Sequence, residues 1–325
     1  MFGNALGWII SLVIAVAGAF GGYELTLMAR PTPSTGWVKP TVQPLTMVDL
    51  AKTVLDPMTN LGENAGDLYR AAIADHQLHK SAYDDLQKTR EFNQQNIDSL
   101  AGLNDLVKAA SCPAMDLFTS KPEEIVGFNT NVDALDQLEE IARTAENVIA
   151  LAKYEKNYDV AHKFANALAA LGLHLYQERV AYIELSAGES DLGTGIAGLI
   201  EIDQAKQDDL KAGALQQVDA ARQAEYSDKI EPVIKVISGQ GQQNIGEHAG
   251  DMFELAGDPS MERVWRVEAI RKIGRLQFNA ENGADQMKAP RFLKKLAADP
   301  AEDSIIRAAA AKARDMTSSD NQSQR

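Results

Sequence analysis

Few side chains in this sequence have the means to do chemistry. Five histidines and one cysteine stand among 325 residues, so a metal site or a nucleophile must be built from these or from carboxylates. The tightest grouping is Asp75, His76 and His79. At helical spacing the two histidines share a face and could approach one metal ion. A metal centre needs further ligands, however, and neither H-E-x-x-H nor E-x-x-H accompanies them. The same histidines also lie on an apolar stripe, where an imidazole packs with one nitrogen satisfied. His162, His174 and His248 are scattered, and Cys112, ahead of Pro113, reads as a buried thiol without a nucleophile signature. Gly193 to Gly198 spells G-x-G-x-x-G, which cradles a dinucleotide only between a strand and a helix. Here it follows a long helical pattern and reads as a flexible helix–helix connection. Acid pairs such as Asp208-Asp209 read as solvated helix faces. No catalytic set, cofactor site or metal set assembles, and the chain reads as non-enzymatic.

Recognition through charge is the other chemistry available. Lys and Arg number 32 against 46 Asp and Glu, a net charge of −14. Such a surface repels polyanions, which excludes nucleic acid as a partner in the absence of a basic stripe. Against that background Arg271, Lys272, Arg275, Lys294 and Lys295 gather in the C-terminal third. They are the candidate protein-binding residues, able to steer an acidic partner. The competing interpretation is a solvated helix face balancing nearby acids.

The elements that carry these residues are helical. Met1 to Tyr23 contains no charged side chain and is long enough to cross a bilayer core as a helix. It reads as an anchor, which makes the lipid bilayer a partner through residues 1–23. A cleaved signal peptide is the alternative, with Ala15-Val16-Ala17 as a cleavage pattern. Residues 24–58 hold Pro31, Pro33, Pro40 and Pro44 and read as a spacer. From Glu63 to Leu86 apolar residues recur at three and four, a single long helix. Ile97 to Val107 gives another, ending at Ser111-Cys112-Pro113. Leu135 to Ala152 and Val160 to Leu185 form a hairpin broken at Lys156-Asn157. A glycine-rich break covers Ser186 to Gly198, and Val233 to Ile237 is an isolated β-branched run. The tail 317–325 is polar and expected to be disordered.

Two internal repeats stand out. Asn60 to Tyr69 parallels Asn244 to Phe253, with six of ten positions identical. Leu255-Ala256-Gly257-Asp258-Pro259 recurs 41 residues later as Leu296-Ala297-Ala298-Asp299-Pro300, and the same offset takes Arg266 to Arg307 and Ala269 to Ala310. This pattern resembles HEAT-like repeats over residues 242–316: a helix, an Asp-Pro turn, then a helix opening apolar-x-Arg-x-x-Ala. The resemblance implies stacked hairpins in which the turn Asp and the helix Arg form ladders, with Asp258, Arg266, Asp299 and Arg307 at the matching positions. Arrays of this kind need about three repeats to stand alone, so the pair must lean on the helices before it.

The expected protein is therefore all-α: a transmembrane helix (1–23), a Pro-rich linker (24–58), a helical domain (59–240), HEAT-like repeats (241–316) and a tail (317–325). The expected function is a membrane-anchored, single-pass protein whose extracytoplasmic domain binds another protein. Two alternatives are a metal- or ligand-binding protein with a site near His76 and His79, and a structural envelope protein.

Overall fold

A computed structural model describes residues 47–53, 55, 56, 59, 64–118, 133–239, 252–275 and 283–323. The apolar segment 1–23, most of the linker and the second copy of the 60–69 repeat up to residue 251 lie outside these. Among the described residues no helix is long and apolar enough to cross a membrane.

All regular structure among the described residues is helical: α1 (Met47–Ala51), α2 (Ala65–Leu78), α3 (Lys80–Lys88), α4 (Gln94–Asp98), α5 (Ala101–Ala109), α6 (Asp133–Tyr154), α7 (Tyr158–Glu178), α8 (Tyr182–Ala205), α9 (Asp209–Glu225), a π-helical turn (Tyr226–Ile230), α10 (Glu231–Gly239), a stretch at 252–257, α11 (Arg263–Arg275), α12 (Gly283–Ala298) and α13 (Ser304–Ser323). The β-branched run at 233–237 is inside α10: Val233 and Ile237 are buried there, so tertiary burial overrides a modest strand propensity. The last helix passes residue 317, where the tail was expected to begin.

The centre of the helical domain is α7. From Phe164 to Tyr176 every residue of this helix is buried, the signature of a helix enclosed on all sides. Its neighbours are α8, α6, α5 and α1. The linker's last part therefore belongs to the core: Ala51 and Leu55 are buried, and Asp56 N donates to Asn166 Oδ1 at 3.2 Å.

The glycine-rich stretch is not a break. Residues 186–198 lie in the middle of α8, a 24-residue helix. Glycine costs helix propensity, but here its missing side chain lets α8 approach α7 at backbone distance. A Cβ on Gly195 would lie 2.6 Å from Ala169 Cα, and one on Gly188 would lie 2.6 Å from Tyr176 N. G-x-G-x-x-G is thus a packing seam: Gly195 faces Ala169, Gly198 faces Ala165, and Gly193 receives the Arg222 guanidinium.

The α6–α7 and α8–α9 hairpins turn in the same way, 51 residues apart. Lys156 (φ 58°) and Gln207 (φ 62°) take the left-handed conformation. Asn157 and Asp208 then cap the next helix, accepting from Val160 N and Lys211 N. A backbone bond closes each turn, Asn157 N to Ala152 O at 2.7 Å and Asp208 N to Asp203 O at 2.8 Å.

The long helix expected from Glu63 to Leu86 is two helices, broken at His79. Asp75 causes the bend, accepting from His79 Nδ1 (2.9 Å), Tyr83 Oη (2.8 Å) and Gly102 N (2.8 Å), and so tying α2, α3 and α5 together.

Candidate functional site

The C-terminal hairpins repeat in geometry as well as sequence. In the first turn Asp258 Oδ1 accepts from Ser260 N at 2.9 Å; in the second Asp299 Oδ1 accepts from Ala301 N at 3.0 Å. Each aspartate side chain thereby closes the bend that its proline begins. After the turns α11 and α13 start side by side and pack closely, with Gly274 against Ala313. Ala269 and Ala310 are both fully buried.

What holds successive layers together is an arginine reaching into the next turn. Arg179, at the end of α7, donates to Glu262 at 2.9 Å. Arg263 donates to Asp303 at 2.9 Å. Arg266, itself 4% exposed, donates Nε to Ala256 O (3.0 Å) and both terminal nitrogens to Glu302 (2.9 and 2.5 Å). This fork-on-fork geometry is the strongest form of ion pair. Its hydrogen bonds hold the Glu302 carboxyl below the ordinary range. Arg307 occupies the Arg266 position in the second hairpin. Its Nε is buried and meets no acceptor, and no carboxylate among the described residues pairs with it.

The five cations singled out by sequence do not form one exposed face. Arg271 lies along α11 and donates to Glu268 at 2.8 Å, with its side chain 12% exposed. Burial and this neighbour leave little of its charge open to a partner. Lys272 is half-buried beside it. Arg275 closes α11, and its side chain lies outside the described residues. Lys294 and Lys295 are exposed on α12. Of the five, Lys294 and Lys295 are the exposed pair on the last hairpin, which also carries Arg307.

The histidine pair is also separated in role. His79 is exposed and hydrogen bonds to Asp75, whose carboxyl sits below its usual range because three donations outweigh the effect of burial. His76 is buried edge-on to Tyr83 with ring centroids 4.9 Å apart, and neither ring nitrogen has a partner. Burial pushes its pKa down. Among the described residues no group of three His, Cys, Asp or Glu side chains could hold a metal ion.

Sequence reasoning did not find the other buried polar groups. Tyr69 and His174 Nδ1 lie 2.8 Å apart, and His174 Nε2 lies 2.9 Å from Cys112 O. Burial holds the imidazole neutral, with a pKa of about 4, so it accepts from the phenol and donates to the carbonyl. Glu184 is fully buried at the start of α8, where its carboxyl accepts from Val180 N at 2.5 Å. Burial first, and the Glu178 charge second, raise it well above the carboxylate range. Asp191 is raised in the same way by burial and by Glu139 and Glu146, while burial lifts Glu139 itself to about 7. Glu184 and Asp191 lie in the packed interior and act on stability. The ladder acceptors Glu262, Glu302 and Asp303 carried a signal that was there to use, since each lies within four residues of a recurring Asp-Pro turn. Compared with family models, with curated proteins and with solved structures, the chain matches none of them.

Proposed function

We propose that this chain is a membrane-anchored helical protein that binds another protein through its C-terminal, HEAT-like hairpins and carries out no catalysis. Residues 1–23 are the anchor, and the helical domain stands on the extracytoplasmic side. The observation that carries the reading is the unfilled rung. Each layer of the stack sends an arginine into the next, and Arg307 is the arginine for which the described residues provide no next layer. On the preceding helix of the same hairpin Lys294 and Lys295 are exposed, positive charge on a protein of net charge −14. Charge of this kind favours an acidic partner and makes association salt-sensitive.

The test is co-purification from solubilised membranes of the full chain, of Arg307→Glu and of the Lys294→Glu/Lys295→Glu pair. Loss of a specific partner in both variants, with folding intact, is the expected result. An unchanged partner set would move the interface to the helices before α11. The alternative of a ligand between helices near His76 and His79 rests on the two unpartnered nitrogens of His76, and metal analysis of the purified protein separates it from the interaction reading.

A further inference from the structure

The matched turns of the two central hairpins differ at one informative position. The carbonyl that closes the first turn belongs to Ala152, and the one that closes the second belongs to Asp203. Asp203 breaks three physical preferences at once. It stands in the last turn of α8, where the negative end of the helix disfavours an acid. It is only 5% exposed. Its carboxylate also accepts no hydrogen bond and makes no direct ion pair among the described residues, where a buried acid ordinarily has one. Burial pushes this carboxyl upward and Asp208 adds to the rise, with His162, Lys211 and Lys206 opposing. An alanine suffices at the sister turn, so the turn itself does not require an acid.

What the acid faces is a cleft of about 380 Å³, lined by Asp159, His162, Asp203, Lys206, Asp208 and Lys211. The rim charges are already matched. Lys206 donates to Asp159 at 3.1 Å and Lys211 lies 3.6 Å from Asp208, while His162 faces Asp56 at 3.7 Å. Asp203 is the carboxylate of the cleft that has no direct ion pair; His162, Lys206 and Lys211 act on it only from a distance.

We propose that this cleft binds a small molecule carrying a primary ammonium group, with Asp203 as its anionic anchor. A metal ion is the poorer fit, since no three carboxylate, histidine or cysteine side chains among the described residues gather closely enough to enclose one. An ammonium has three N–H donors and one positive charge. It needs one charged acceptor and can use Asp159 or Asp208 at the rim for the rest. The two rim lysines can meet hydroxyl or anionic groups elsewhere on the same molecule. The site lies at the opposite end of α8 from Tyr182, whose N–H donates to Glu268 of the C-terminal stack. That is a separation of about 32 Å along the helix, so the site does not depend on the proposed protein interface.

The experiment uses the full-length chain with putrescine as the probe amine and tetramethylammonium as a cation of equal sign without N–H donors. Titration calorimetry and thermal midpoints are read for the wild type, Asp203→Ala, Asp203→Asn and the distant surface variant Asp98→Asn. Saturable putrescine binding with an upward midpoint shift is expected in the wild type and in Asp98→Asn. Tetramethylammonium should give neither. Asp203→Ala, which copies the sister turn, should melt about 2 °C higher without ligand and lose putrescine binding at least tenfold, as should Asp203→Asn. No saturable binding, equal binding in the Asp203 variants, or an equal response to tetramethylammonium would overturn the site. A lower ligand-free midpoint in Asp203→Ala would show that the acid supports the turn, and would overturn it as well.

Discussion

The α7–α8 seam and the C-terminal stack both join helix to helix, by opposite means. In the seam the sequence removes side chains: Gly188, Gly195 and Gly198 face a glycine- and alanine-lined α7, and backbones touch. In the stack it adds long charged ones, so that Arg179, Arg263 and Arg266 each span to a carboxylate in the next turn. A backbone contact fixes distance and tolerates almost no change in volume. A guanidinium–carboxylate contact fixes direction and register, and a further layer can take it up. One region is closed on itself; the other has a form that can be continued.

Three measurements probe this contrast, beginning with the largest effect. Gly195→Leu should destabilise the protein by about 3 kcal/mol through overpacking, because even a Cβ meets Ala169 at 2.6 Å. Gly213→Ala in α9, where nothing lies within 4 Å, should instead stabilise by about 0.5–1 kcal/mol from helix propensity. Denaturant unfolding of both checks whether tight approach, and not glycine content, makes the seam intolerant. A loss of stability in both would remove the distinction.

Arg266→Ala comes next, at about 3 kcal/mol for stranding one partner of a mostly buried pair. Hydrogen exchange should locate the loss. Amides of α12 and α13 should exchange faster while those of α7 and α8 keep their protection. Uniform acceleration across both regions would mean that the stack and the bundle unfold as one unit.

The smallest effect is in pH. Glu139, Glu184 and Asp191 have raised carboxyls in the fold, so above the ordinary carboxylate range the unfolded chain gives up protons that the native one keeps. The stability these groups contribute is present at acid pH and is lost as pH rises through their folded values. His76 and His174 work the other way, being neutral in the fold, and cost stability only as pH falls below about 6.5. Between pH 8 and pH 7 the acids dominate. Stability should rise as pH falls over that interval towards the Glu139 value of about 7. Glu184→Gln should raise stability at pH 8 and flatten the slope. A flat profile in the wild type would mean that these carboxyls are ionised in the fold.

The sequence made the α6–α7 hairpin readable because apolar periodicity runs through both helices and stops at Lys156-Asn157, the residues that form the turn. The 41-residue correspondence was readable for the same kind of reason, through turn chemistry at Asp258 and Asp299. The glycine-rich stretch was not. Local propensity votes against helix from Ser186 to Gly198, and only the presence of α7 reverses it. The bend at His79 likewise depends on Asp75 receiving Gly102, 27 residues away. The ladder arginines could be listed, but their acceptors are supplied by other turns, and that pairing is tertiary information. Asp203 was invisible because an acid near a helix end looks like any solvated acid until its burial is known.

Cys112 is the protein's one thiol. It is fully buried where the end of α5 meets α7, and its carbonyl receives the His174 imidazole. A thiol in that position is shielded from alkylating reagents for as long as the contact holds. Its labelling rate therefore times the opening of this one joint. Without any engineered probe, the chain carries a single-site clock on the contact between its N-terminal helices and its central helix.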